Sequence, residues 1–116
     1  MTVREVAQIV EGIAQEPRIL RVDDLARRLG LGVRRLQRLF TEYVGIGPKQ
    51  VIRRYRLHEA AERVTRTRRG DWSLLAAELG YSDQAHFIRD FRRTIGLSPG
   101  RYAASDQAVP EEAAGG

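Results

Sequence analysis

The chain carries the same helical pattern twice, and that duplication constrains its fold more than any other feature. Leu25-Ala26-Arg27-Arg28-Leu29-Gly30 returns as Leu75-Ala76-Ala77-Glu78-Leu79-Gly80, at a register of 50. Arg38-Leu39-Phe40, with Gly45-Ile46-Gly47-Pro48 beyond it, returns as Arg89-Asp90-Phe91 with Gly96-Leu97-Ser98-Pro99, at a register of 51. The later copy therefore holds one extra residue between its two helices. Each copy reads as helix, tight turn, helix, stop. A repeat near 50 residues is long for the helix pair of a solenoid, and a third copy is absent, so stacked-hairpin architectures are disfavoured.

No segment alternates with period two over a useful length, which predicts an all-α fold of about seven helices. Thr2-Val3-Arg4-Glu5 has capping-box spacing and opens the first helix. Val3, Val6, Ala7, Val10, Ile13 and Ala14 are expected to form its apolar face, and Pro17 to close it. Asp23 is the expected N-cap of a short second helix, with Gly30 as its left-handed stop. A third helix runs from near Gly32 to Val44. Pro48 suits the first turn of a long fourth helix over 48–66, whose apolar residues Ile52, Tyr55, Leu57, Ala60, Ala61 and Val64 lie on two sides. Such a helix serves two separate cores. After a basic turn over 66–70, Asp71 is expected to cap a fifth helix (72–79), Ser82 a sixth (83–95), and Ser98-Pro99 to start a last short one. The domain organisation expected is a first helix-turn-helix unit over 1–47, the linking helix over 48–66, a second unit over 67–102, and a disordered acidic and Ala/Gly-rich tail over 103–116. Trp72, Tyr43 and Tyr81 are expected in the core.

Placed on a wheel at about 100° per residue, the third helix sorts into two faces. Leu36, Leu39, Phe40, Tyr43 and Val44 gather on one side; Arg34, Gln37, Arg38 and Thr41 gather on the other. Arg34 and Arg38 are like charges four residues apart, which costs a few tenths of a kcal/mol, roughly, in an isolated helix. Glu42 is placed to relieve Arg38 from the edge of that face. In the sixth helix, Phe87, Ile88, Phe91 and Ile95 form the apolar side. His86, Arg89 and Arg93 lie opposite, with Arg92 beside them and Gln84 in the first turn. Arginine and glutamine are the side chains best matched to guanine and adenine edges. Both copies place polar donors at the same offset, which favours a DNA-facing surface over an ordinary solvated one.

Charge agrees with that reading. The last fourteen residues hold three acids and no base, so residues 1–102 carry a formal +8 against +5 for the whole chain. An excess of this kind fits a polyanionic partner. Nineteen of the 20 basic residues are arginine, which reflects either guanidinium grips on phosphate and guanine or a GC-rich genome. With no cysteine there is neither a disulfide framework nor a thiolate metal site, in keeping with a reducing cytoplasm. No stretch reaches membrane-spanning length, and no cofactor or metal site is expected. His58 and His86 are the only histidines, and neither lies beside a plausible nucleophile in sequence, so an enzyme is the weakest reading. The alternative from another class is a basic helical module that binds RNA or acidic protein surfaces.

The stretch Gly80-Tyr81-Ser82-Asp83-Gln84-Ala85-His86-Phe87 through Phe91, followed by Gly96-Leu97-Ser98-Pro99 and Tyr102, resembles the DNA-binding domain of AraC/XylS-type bacterial transcription regulators. Leu36-Gln37-Arg38-Leu39-Phe40 with Gly45 and Pro48, and Arg56-Leu57 with Ala60, extend the resemblance over roughly residues 5 to 102. It implies two helix-turn-helix units joined by a rigid helix, with recognition helices in successive major-groove segments of double-stranded DNA. It implies base contacts from Arg34, Gln37 and Arg38 in the first unit, and from Gln84, Ala85, His86 and Arg89 in the second. Arg35, Lys49, Arg53, Arg92 and Arg93 are the expected phosphate contacts. Two departures stand out: Ala85 cannot hydrogen-bond, and Gly32 replaces a hydroxyl residue at a helix start. Further expectations are a bacterial, cytoplasmic, nucleoid-associated protein and RNA polymerase as a candidate second partner. The isolated domain is expected to be a monomer, and the chain to be either the DNA-binding part of a larger regulator that can dimerise through an effector domain or a stand-alone member controlled by its own abundance.

Overall fold

The computed structural model describes residues 1–67 and 71–105. Residues 68–70, in the expected basic turn, and 106–116, in the expected tail, lie outside the described residues. Among the described residues seven helices form: α1 (Val3–Gln15), α2 (Val22–Leu29), α3 (Val33–Tyr43), α4 (Pro48–Arg66), α5 (Ser73–Glu78), α6 (Gln84–Ile95) and α7 (Pro99–Ala104). No strand occurs among the described residues, so the fold is all-α. The chain divides into two compact units, Met1–Arg56 and Leu57–Gly116, so α4 gives its first half to one and its second half to the other.

The first unit is built on Ile13, Ile19, Leu25, Ala26, Leu36, Phe40, Val51 and Ile52, all buried. Burying a side chain such as Phe40 or Leu36 contributes about 1.5–3 kcal/mol, and α3 packs through them against α1 and α2. The expected capping box is present: Glu5 N donates to Thr2 Oγ1 at 3.1 Å and Thr2 N to Glu5 Oε2 at 2.8 Å. The apolar face of α1 is rotated from the expected one, because Val3 and Ala7 are exposed while Ile9 joins Val6, Val10 and Ile13. In α2 the N-terminal acid is Asp24 rather than Asp23. Its carboxylate accepts from the amides of Leu20 and Arg21, and the helix begins at Val22, two residues earlier than an Asp23 cap implies. Tyr43 is exposed rather than in the core, and its hydroxyl donates to the Met1 carbonyl at 2.9 Å. A phenol with a polar tip can sit at a helix edge where leucine would be buried.

Arg56 is the unexpected member of this unit. It is 3% exposed, and its guanidinium donates to the carbonyl oxygens of Ile13 and Glu16. These belong to the last turn of α1 and its C-cap, where Ile13 O also accepts from Glu16 N at 3.3 Å and Glu16 O from Ile19 N at 3.1 Å, so Arg56 is a second donor to each. A cation there also meets the negative end of the helix dipole.

The second unit is built on Leu57, Ala60, Ala61, Val64, Trp72, Leu75, Ala76, Phe87 and Phe91. Phe87 and Phe91 lie with ring centroids 5.7 Å apart, and Tyr102 of α7 meets Phe91 edge-on at 5.8 Å. Ser98 caps α7 as expected, accepting from Arg101 N at 3.3 Å, with Pro99 in the first turn. Asp71 does not cap α5. Its carboxylate accepts from the hydroxyl and amide of Ser73, at 2.6 and 3.2 Å. Those two bonds, the hydroxyl's first, hold its pKa below the usual aspartate value. An ion pair between Arg63 of α4 and Glu78 ties the end of α5 to the linking helix.

The helix-to-helix turns of the two copies are the same object. Gly30 adopts φ 68° and Gly80 φ 88°, the left-handed region that glycine enters without steric penalty. Leu31 N donates to Ala26 O at 3.1 Å, and Tyr81 N donates to Ala76 O at 3.0 Å. Gly30 N reaches Arg27 O and Gly80 N reaches Ala77 O, completing the paired bonds of a Schellman stop. This turn sets the start of α3 and of α6, the two helices that carry the candidate site.

Candidate nucleic-acid interface

α3 begins at Gly32, which offers no side-chain cap, so the first-turn amides are left for solvent or a ligand. Leu36 and Phe40 are fully buried and fix the helix's rotation. Arg34, Arg35, Gln37, Arg38 and Thr41 are exposed. The structure brings Arg34, Gln37 and Arg38 onto one face, away from Leu36 and Phe40. Arg35 sits on the flank, where it lines a cavity of about 530 Å³ walled by Ile9, Ile19, Leu25, Leu29 and Leu31. No ion pair joins Glu42 to Arg38 among the described residues, contrary to the expected relief. The repulsion between Arg34 and Arg38 is thus uncompensated within the helix, as suits a surface that meets an anion.

α6 is capped by Asp83, not Ser82. The Asp83 carboxylate accepts from His86 N at 2.7 Å. The helix starts one residue later than expected, because aspartate caps as well as serine and stands where its oxygen reaches the third amide. Asp83→Ala is expected to cost about 0.5–2 kcal/mol, measured as a lowered urea midpoint. Phe87 and Phe91 are fully buried. Ala85, Arg89, Arg92 and Arg93 are exposed, and Gln84 and His86 are half-buried. Gln84 falls on the core side of the wheel, and only its place in the first turn leaves it accessible.

Lys49 and Arg53 lie in the first turns of α4 rather than on α3 or α6. Lys49 is exposed; Arg53 is half-buried and already engaged by the protein.

Asp90, which the pattern of arginines hid, is buried beneath α6. Tyr81 donates its hydroxyl proton to Asp90 Oδ2 at 3.1 Å, and His86 Nε2 lies 3.6 Å from the same oxygen. The one sequence signal for this cluster is the i, i+4 spacing of His86 and Asp90. Tyr81 is consequently half-buried, packed against the second core with its polar tip committed inward.

Among the described residues no helix is long and apolar enough to cross a membrane, and no group of three His, Asp or Glu residues is placed to hold a metal ion.

Comparison with known proteins places the pattern. The sequence profile described as a helix-turn-helix domain matches residues 25–105. The transcriptional activator AarP of Providencia stuartii is 33% identical over 87 residues, covering 75% of this chain and 64% of AarP. The probable transcription factor PqrA of Proteus vulgaris is 28% identical over 102 residues, covering 86% of this chain and 81% of PqrA. The regulatory protein PocR of Salmonella typhimurium is 33% identical over 85 residues, and the chain spans only 27% of its length. The fold matches the C-terminal domain of AraT, a response regulator from Geobacillus stearothermophilus, with a TM-score of 0.68 at 22% identity. That match covers 91% of this chain and 88% of the other. With the helix-turn-helix profile spanning most of the chain and these regulators aligned along it, the chain belongs to the AraC-type helix-turn-helix family.

Proposed function

We propose that the chain is a sequence-specific, double-stranded DNA-binding transcription regulator that inserts α3 and α6 into successive major-groove segments. The observation that carries this reading is the duplicated exposed arginine, Arg38 and Arg89. Each stands at the same offset on a helix that follows the same Schellman turn. A bidentate guanidinium matches guanine O6 and N7, and this role falls to Arg38 and Arg89, with Arg34 beside the first. Gln37 matches adenine, while Gln84 and His86 read from the start of α6. Ala85 contributes at most an apolar touch to a thymine methyl. Arg35, Lys49, Arg53, Arg92 and Arg93 grip phosphates and fix the register.

Two recognition helices on one chain let a monomer span a site whose halves lie roughly 34 Å apart. The activity is binding, not catalysis. The place of action is the bacterial nucleoid in the cytoplasm, and the partner beyond DNA is RNA polymerase. The domain by itself acts as a monomer.

The reading is tested by salt. With the five phosphate contacts the log–log slope of affinity against salt is about −4.5, so affinity falls about 500-fold between 50 and 200 mM. Fluorescence anisotropy with a selected duplex and a scrambled one provides the measurement. Equal affinity for both duplexes overturns the proposal in favour of a basic module indifferent to sequence.

A further inference from the structure

The cluster beneath α6 has no counterpart in the first unit. At the registers of 50 and 51 that relate the copies, Tyr81 and Asp90 match Leu31 and Leu39. Two leucines in one copy are thus a phenol and a carboxylate in the other, and that carboxylate is 8% exposed. Burying a carboxylate where leucine serves is costly unless partners satisfy it. The partners here converge on one residue of the recognition helix. Asp90 Oδ2 accepts from the Tyr81 hydroxyl at 3.1 Å and stands 3.6 Å from His86 Nε2. The Tyr81 ring meets the His86 ring edge-on, with centroids 5.1 Å apart. From the other side, Asp83 holds the backbone amide of the same His86.

We propose that Asp90 and Tyr81 are positioning residues that keep the His86 proton on Nε2, so that Nδ1 meets DNA as a hydrogen-bond acceptor. The inference rests on the DNA-binding reading above and adds a specificity to it. In a neutral imidazole one nitrogen donates and the other accepts, and the partner of one sets the role of the other. A carboxylate beside Nε2 draws the proton there. An accepting Nδ1 cannot satisfy guanine, whose major-groove edge presents two acceptors. It pairs with an exocyclic amine, N6 of adenine or N4 of cytosine. The second unit therefore selects an amine-bearing base at the His86 position, where the first unit, with Arg35 at the matching place, selects nothing of the kind.

Two measurements on the full chain test this. Long-range 1H–15N correlation spectra at about pH 8, where an ordinary imidazole is neutral, show which ring nitrogen carries the proton. The proton is expected on Nε2 in the wild type. In Asp90→Leu, which restores the first copy's residue and keeps an apolar core, it is expected to be shared with Nδ1. In DNA competition, His86→Ala is expected to reduce discrimination at one base pair by about 2- to 13-fold, the range of a single neutral hydrogen bond. Asp90→Leu is expected to reproduce that loss, while the Arg38-dependent positions keep their preference. Removing the exocyclic amine of the selected base abolishes the contribution of His86; a 7-deaza purine at that base pair leaves it intact. A proton on Nδ1 or on both nitrogens, or sensitivity to the 7-deaza base, overturns the proposal. If His86→Ala changes no position while Arg38→Ala does, this inference falls and the DNA reading stands. If the wild type shows no sequence preference at all, both fall.

Discussion

Replacing Arg56 with methionine is expected to destabilise the first unit by about 3–5 kcal/mol, since each hydrogen bond made by a charged group contributes about 1.5–3 kcal/mol. The guanidinium is buried and donates to two carbonyls at the end of α1, with the bond to Ile13 buried and the bond to Glu16 half-buried. Methionine fills much of the same space but donates nothing, so the carbonyls of Ile13 and Glu16 each lose the charged one of their two donors. Arg56→Lys should recover only part of the loss, because an ammonium is a point donor and cannot fork to two oxygens as guanidinium does. For a domain of this size each kcal/mol lowers the melting temperature by about 4–8 °C. A thermal melt followed by circular dichroism therefore shows a large shift for Arg56→Met and a smaller one for Arg56→Lys. DNA binding should fail in parallel, because α3 packs on α1 and loses its footing. An unchanged melting temperature in Arg56→Met would mean that the clasp is incidental.

The second large effect is on recognition rather than stability. Arg38→Ala and Arg89→Ala should each weaken specific binding by about 1–3 kcal/mol and relax base preference at one position. The two arginines belong to different compact units. Their effects should add, so the double variant loses about 2–6 kcal/mol of specific affinity. Both side chains are exposed, so the melting temperature of the double variant should stay close to that of the wild type. Competition binding against a selected duplex measures the loss. A double variant no weaker than either single one would show that only one helix reads DNA.

Much of this was legible in the sequence because the duplication repeats what the fold needs. Leu25 and Leu75, Leu36 and Phe87, Phe40 and Phe91 are apolar in both copies, and all are buried. Gly30 and Gly80 mark turns that only a left-handed residue completes comfortably. The exposed arginines followed from the same periodicity, by subtraction.

What escaped the sequence depends on one-residue choices or on distant partners. Asp83 and Ser82 are both good caps, and only the path of the chain decides which oxygen reaches the third amide of α6. Tyr43 lies on the apolar side of a wheel, yet the helix edge leaves its hydroxyl free to reach the Met1 carbonyl, 42 residues away. Arg56 and Asp90 are charged residues in buried positions, which periodicity assigns to the surface. Their partners, at the end of α1 and in Tyr81, are visible only once the chain has folded. The site itself was read as a set of exposed donors, and the inward hold on one of them was not.

The most direct test of two recognition helices on one chain is methylation interference on a selected duplex, with the wild type beside Arg38→Ala and Arg89→Ala. Two blocks of interfering guanine N7 positions are expected, about one helical turn apart, with each variant losing the block that its own helix reads. A single block lost in either variant, or no interference in the major groove, would contradict the account.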